Sequence, residues 1–427
     1  MNTIAAEWIF PVTTAPLHRH AIEIQEGIIQ KIRPLLPSED CAQGSCIIPG
    51  LINSHTHLAY TALRNLFDDL TFFPWIRKLT EVKHQKLTEE DIAASTRLGI
   101  AECIRGGITT VADLCDFEIA LRELSQSPLR GIFYWEVFGV EKEQADNSWK
   151  LIQEHFPKLV STYSSQRLQI GISPHACFTV RPELYRRIAE WALHERVPIS
   201  FHLAESREEE EFISRRTGPI QEFLQKRAAD WNMLGKTSVT HLRETGIFET
   251  RPLLAHLVQA NDSDLDVLKQ YPISVVHCPK SNAKFGHGIA PVCSMLDRGI
   301  RVCIGTDSAA SNNRLDLFEE ARFAFLQQRS REGKPVLTEQ QILEMMTIRG
   351  AEALNMQNLI GSLDAGKRAD LAILKIPPYY NTPNQVLCHI IHNVTSTDVV
   401  QTIINGQVAS PDEGDSNVSI IYGKLSQ

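Results

Sequence analysis

No apolar run in this chain approaches the ~20 residues that a membrane-spanning helix needs, so no bilayer span is expected. There is no basic block either. The formal net charge over 427 residues is -8, which argues against nucleic acid as a partner. The opening stretch, MNTIAAEWIFPVTTAPLHRH, has no basic segment leading into an apolar core of the kind that directs secretion. Nine cysteines are scattered without a Cys-x-x-Cys pair, and we expect reduced thiols in a cytoplasmic protein. Internal repeats and low-complexity segments are absent. So is a glycine fingerprint after the first apolar strand, which weakens a nucleotide-binding doubly wound sheet.

What is present is an ordinary globular composition, with 43% hydrophobic and 22% charged residues. The length suits one large domain or two ordinary ones. Both ends are rich in short strands. Residues 21–32 alternate around a glycine turn, and 399–408 place Asn405-Gly406 between apolar runs, so each predicts a hairpin. Residues 371–374 read as another strand. Between about 50 and 360, short apolar strands alternate with helical patterns. The strand candidates are 47–53, 109–114, 131–137, 168–173, 198–203, 253–258, 273–277 and 300–306. Thr88 before Glu89-Glu90-Asp91, and Thr338 before Glu339, read as helix N-caps with acidic first turns. Residues 207–250 are rich in charge and exceed one helix, so they read as helix plus insertion. About eight strands separated by helices is the pattern of a (β/α)8 barrel.

In such a barrel the C-terminal strand ends converge on one mouth, where active sites sit. The first strand candidate delivers His55-Thr56-His57, two imidazoles on one face of an extended chain, which suits a transition metal. Later candidates end in or carry Ser173-Pro174-His175, His202-Leu203-Ala204-Glu205, His256, His277-Cys278-Pro279 and Gly305-Thr306-Asp307. Taken singly, each has a plainer reading. A strand-end histidine is commonly a hydrogen-bonded structural residue. Asp307 could cap a turn. Glu205 could begin the solvated acidic helix that Arg207–Glu211 suggests. One strand-end rule nevertheless brings them all to the same place. His84 and His287 are weaker candidates for that mouth, and the other histidines lack the support.

The motifs PGLINSHTH, HLAES, HCPKSNAKFGHGIAPV, GTDSAASNNRLDLFEEAR and IGSLDAGKRADLAIL resemble, in order and over nearly the whole chain, the metal-dependent amidohydrolase superfamily. They are similar to its branch of triazine hydrolases, guanine and cytosine deaminases, and adenosylhomocysteine/methylthioadenosine deaminases. The resemblance implies a (β/α)8 barrel over 49–362, beside a small β-sandwich built from 1–48 and 363–427. It implies His55, His57, His202 and Asp307 as ligands of one divalent metal, Zn²⁺ or else Fe²⁺. It makes Asp307 the acceptor of a water proton, His256 a polarising group and Glu205 the proton shuttle. His175, His277, Asn282 and Trp75 would face the substrate, although Trp75, like Phe138, suits core packing equally. Two-metal members carry a lysine at the end of strand four. Ser173-Pro174-His175 stands there instead, so a mononuclear site is expected.

The implied reaction is hydrolytic deamination of an aminated heterocycle to the oxo product and ammonia. The implied partner is that small molecule, and a homodimer is the assembly the family suggests. A hydrolase releasing chloride or a ring nitrogen, and a non-catalytic protein on the same fold, are the alternatives. The complete ligand set speaks against the last. Two departures bear on substrate. His84 stands where adenosylhomocysteine-type deaminases grip the ribose with a glutamate. Tyr134-Trp135-Glu136-Val137-Phe138-Gly139 replaces the stretch that holds their carboxylate-pairing arginine. Both count against adenosylhomocysteine and leave other adenine-type nucleosides, such as aminodeoxyfutalosine or methylthioadenosine, as well as free bases, pterins and triazines.

Overall fold

Gly50 divides the first apolar run into two strands that serve different sheets. The computed structural model describes residues 2–410 and 418–425. Strand β4 (Ser45–Pro49) ends just before Gly50 and β5 (Leu51–Thr56) begins just after it. The expected continuous strand 47–53 is therefore broken. The cause is close packing: a Cβ at Gly50 would lie 2.3 Å from the Thr109 side chain. The break re-aims the chain, with Gly50 N–H donating to Asp370 C=O and Leu51 N–H to Gly107 C=O.

Seven strands from both ends of the chain form one sheet. They are β1 (Asn2–Ile9), β2 (Leu17–Gln25), β3 (Ile28–Pro34), β4, β13 (Leu371–Lys375), β14 (Val399–Ile404) and β15 (Gln407–Val408), in the order β15-β14-β13-β4-β1-β2-β3. Both expected hairpins are there. Glu26-Gly27 and Asn405-Gly406 turn with φ of 52°, 75°, 53° and 75°, the left-handed pairs that match the twist of flanking strands. One face buries Ala6, Ile22, Ile24, Ile47, Leu371 and Ile403 together. The expected C-terminal segment 363–427 runs in part over residues outside the described set.

The middle of the chain forms two parallel sheets, each of four strands. One joins β5, β6 (Ile108–Cys115), β7 (Arg130–Val137) and β8 (Leu168–Pro174). The other joins β9 (Ser200–Leu203), β10 (Leu253–His256), β11 (Ser274–His277) and β12 (Arg301–Ile304). Isolated parallel bridges link their edges, Ile172 to Ile199 and Ala176 to His202 on one side, Thr56 to Asp307 on the other. Every residue of β5 and β6 is buried, as expected of parallel strands covered on both faces.

Helices follow the strands. Glu89–Arg105 starts at a capping box in which Asp91 N–H donates to Thr88 Oγ1 and Thr88 N–H donates to Asp91 Oδ2. Thr338 and Gln341 repeat it for Glu339–Met346. The 207–250 stretch resolves into Arg207–Arg215, Gly218–Leu224 and Ser238–Arg243 with short 3₁₀ turns. An ion pair of 2.9 Å between Arg130, at the start of β7, and Asp370, just before β13, ties the parallel sheets to the terminal sheet. All nine cysteines are free. No helix among the described residues is long and apolar enough to cross a membrane.

Candidate active site

The C-terminal ends of these parallel strands bring the predicted residues together. The imidazoles of His55 and His57, at the end of β5, meet edge to face with ring centroids 5.1 Å apart. His202 on β9 lies 4.9 Å from His55 and stacks 5.5 Å from His57, with rings 7° from parallel. His256, at the end of β10, is 5.6 Å from His55 and 5.5 Å from His202. Asp307, after β12, places Oδ1 3.6 Å from His55 Nε2 and 3.5 Å from His57 Nε2. His55, His57 and Asp307, and likewise His55, His202 and His256, have ligand atoms within 4.8 Å of one another.

All of these groups except His55 are aimed by a partner outside the cluster. Nδ1 of His57 meets Leu114 C=O at 2.9 Å, and Nδ1 of His202 meets His175 C=O at 2.8 Å. Both backbone partners fix the tautomer and turn an Nε2 lone pair inward. Nδ1 of His256 meets Asn282 Oδ1 at 2.9 Å. Ser281 and Ser311 hydroxyls donate to Asp307 Oδ2, while Ser308 N–H donates to Oδ1 at 2.7 Å. Both ring nitrogens of His55 are buried without a hydrogen-bond partner. Ala204, His256, Leu257 and Asp307 hold positive φ of 49°, 77°, 47° and 57°. Each such backbone costs about 1–3 kcal/mol, and such residues cluster at functional sites.

Burial sets the charges. It pushes His57 and His175 down to about 3 and His256 to about 4, with neighbouring imidazoles adding to the effect for His57 and His175. These rings are neutral at pH 7 and offer lone pairs. Burial opposes ionisation of Asp307, but His55, His256 and His57 hold its carboxyl well below the ordinary range. Glu205 is the opposite case. Burial first, then the Asp307 charge, pushes its carboxyl well above the usual value. Its Oε1 lies 3.7 Å from His256 Nε2 and 3.6 Å from His287 Nε2.

A cavity of about 730 Å³ opens onto this cluster, a size typical of small-molecule sites. His57, His175, His202, Glu205, His256 and Asp307 line it, as does Trp75, which also packs on Phe285 at 4.8 Å. Phe138 lines it beside His175. His84 stands exposed on its wall. His277 and Asn282 are buried but are not on the wall; Asn282 carries His256 instead. At the end of β8 the chain supplies His175, with no lysine.

Two features escaped the sequence reading, and two more, His287 and Glu136, were given no role there. Glu209, read there as part of a solvated helix, is fully buried and accepts from Ala204 N–H at 2.7 Å and Glu205 N–H at 3.1 Å. It fixes the turn that carries Glu205. His287 reaches Glu205. Lys83 enters the cavity wall and donates to Asp116 Oδ1 at 2.6 Å. Glu136, on β7, lines the cavity with Oε1 4.0 Å from His175 Nε2. Glu136, His175 and His202 form a further close group of ligand atoms. It shares His202 with the main cluster.

Residues 46–409 match the amidohydrolase family, and the chain belongs to that family. It is 36% identical over 376 residues to the 5-methylthioadenosine/S-adenosylhomocysteine deaminase of Syntrophomonas wolfei subsp. wolfei, covering 86% of this chain and 81% of the relative. It is 33% identical over 375 residues to the 5'-deoxyadenosine deaminase of Methanosarcina acetivorans, covering 86% and 81%. Its fold is similar to the crystal structure of an adenosine deaminase from Xanthomonas campestris with bound zinc. That TM-score is 0.87 at 24% identity, covering 99% of this chain and 98% of the other.

Proposed function

We propose that this chain is a mononuclear, metal-dependent hydrolytic deaminase that converts an adenine-type nucleoside to its oxo product and ammonia. The observation that carries this reading is Glu205. It is a buried carboxyl that burial and the Asp307 charge hold well above the usual carboxyl range, on the wall of the cavity that His57, His202, His256 and Asp307 also line. The activities named for the relatives support it. We also read the two parallel sheets as one closed (β/α)8 barrel spanning 49–362, supported by the bridges between their edges. Segments 1–48 and 363–427 are then the smaller sandwich.

The residues fit a metal. Three imidazoles and one carboxylate, with His55 nitrogens otherwise unpartnered in the interior, suit a divalent transition ion. His55, His57, His202 and Asp307 would hold it, zinc in preference to iron(II). When bound, the ion supplies Lewis-acid activation of water. The chain's own groups do the proton work. Asp307 accepts a proton from the attacking water. His256, aimed by Asn282, orients that water by hydrogen bonding. Glu205 gives its proton to the ring nitrogen beside the amine-bearing carbon. Now ionised, Glu205 takes the proton of the added hydroxyl as the carbonyl forms and passes it to the departing amine, which leaves as ammonia. The proton left on Asp307 then returns Glu205 to its acid form. The rest of the cavity is largely apolar and aromatic, which supports a nucleoside with an apolar 5′-substituent, such as methylthioadenosine.

The test is ammonia release from a panel of 5′-methylthioadenosine, 5′-deoxyadenosine, adenosine, adenine, guanine, cytosine, pterins and triazines. The adenine nucleosides should lead. A chloride-releasing triazine substrate with no ammonia from any nucleoside would replace this reading with the chlorohydrolase alternative.

A further inference from the structure

A cavity of about 320 Å³ lies at the N-terminal ends of the parallel strands, opposite the catalytic cluster. Arg130, Ser165, Gln166, Arg167, Arg368 and Asn405 line it. Arg130 opens β7, and Arg167 stands just before β8. Arg368 and Asn405 belong to the terminal sheet's side. Arg368 bridges to Ile28 shortly before β13, and Asn405 sits in the turn after β14. The eight residues of β7 span roughly 25 Å, so the cavity is well separated from the active site.

Every charged residue on this wall is an arginine. Arg130 is paired, its Nε donating to Asp370 Oδ2 at 2.9 Å. Arg167 donates instead to the Ser127 and Leu129 carbonyls, and Arg368 to Asn405 Oδ1 at 3.1 Å. Among the described residues neither forms an ion pair, so two positive charges stand unbalanced in a chain whose net charge is -8. Arg130 is 2% exposed, and its Nη2 has no hydrogen-bond partner. A buried donor without an acceptor is unfavourable, so it points to a ligand that supplies one. Ser165 Oγ accepts from the Arg167 and Leu168 amides, which leaves its O–H to donate. Guanidinium forks match the oxygens of phosphate, and balancing two charges takes a dianion.

We propose that this cavity binds a phosphate group, as free inorganic phosphate or as the end of a small phosphomonoester. Arg130, Arg167 and Arg368 hold its oxygens. The volume is at the small end for ligand sites, which keeps the ester small. The bound group joins the starts of β7 and β8 to the segment before β13. It thus reinforces the junction that the Arg130–Asp370 pair makes, and it stabilises the folded chain as its concentration passes its Kd.

The experiment titrates the metal-loaded protein by calorimetry with inorganic phosphate and, separately, with ribose 5-phosphate, at constant ionic strength. One saturable site per chain is expected. Arg167→Gln and Arg368→Gln spare the Arg130–Asp370 pair and keep a side-chain donor. Each should weaken binding by roughly 10- to 100-fold, the worth of a charged hydrogen bond. The wild-type unfolding midpoint should rise along the same saturation curve. Phosphate also stabilises proteins by exclusion from their surface, but that rise does not saturate and the variants would share it. Tighter binding of ribose 5-phosphate would identify an ester as the ligand, and tighter binding of the free ion would identify phosphate itself. No saturable binding of either probe to the wild type by about 10 mM would overturn the assignment. So would an affinity unchanged in both variants, the result expected of phosphate held by a metal at the active site.

Discussion

Glu205 and Glu209 are four residues apart, both buried, and they serve different ends. Glu205 faces the cavity and has no hydrogen-bonded cation, so burial raises its carboxyl well above the usual range. Glu209 faces backbone amides and accepts from them. On the proposed mechanism Glu205→Gln removes the proton shuttle without touching a metal ligand. It should lower ammonia release by about 10²- to 10⁴-fold with metal content unchanged. Parallel rate and elemental measurements check this, and full activity in the variant would take the role away from Glu205. At this scale, the residues that meet at the cluster were legible because each ends a strand. Glu209 was not, because five consecutive charged residues, Arg207 to Glu211, look like a solvated helix start. Only the fold of the chain back over β9 makes one of them interior. Lys83 and Glu136 were obscured in the same way, since neither sits at a motif.

At the scale of elements, alternating apolar strands and capped helices located the parallel strands well. The break at Gly50 was hidden because apolar residues continue across it; its cause is contact with Thr109, distant in sequence. The turn after β9 is another element defined by a tertiary partner. Ala204 there takes a left-handed backbone, with φ 49°, and Glu209 holds it. Glu209→Ala leaves two buried amides unpartnered. It should cost about 1–3 kcal/mol per amide left bare and lower kcat by misplacing Glu205. Denaturant unfolding together with turnover measures both effects. The milder Glu209→Gln, which keeps one acceptor oxygen, should fall between.

For the whole molecule, the terminal sheet and the parallel sheets are joined by the Arg130–Asp370 pair, both side chains 2% exposed. Asp370→Asn leaves a buried guanidinium without its counter-ion. It should destabilise the protein by about 3–5 kcal/mol, read from the unfolding midpoint. The pH dependence of stability has its own source. Burial raises Asp113 to about 8, partly offset by Leu58 N–H donating to it. The folded chain therefore keeps a proton that the unfolded chain releases near its ordinary ~3.9. The stability this confers is complete below that value and is lost as pH rises toward about 8. Asp113→Asn, which still accepts from Leu58, should flatten the fall in stability between about pH 5 and 8. Unfolding midpoints across that range check the slope.

The central claim is that one metal ion and this set of side chains deaminate an adenine nucleoside. Its most direct test is to strip the protein of metal, add zinc in steps, and follow ammonia release from 5′-methylthioadenosine at each step. Activity should be absent at first and should rise linearly to a plateau at about one equivalent. No ammonia at any zinc or iron(II) loading, or a plateau only at about two equivalents, would contradict the account.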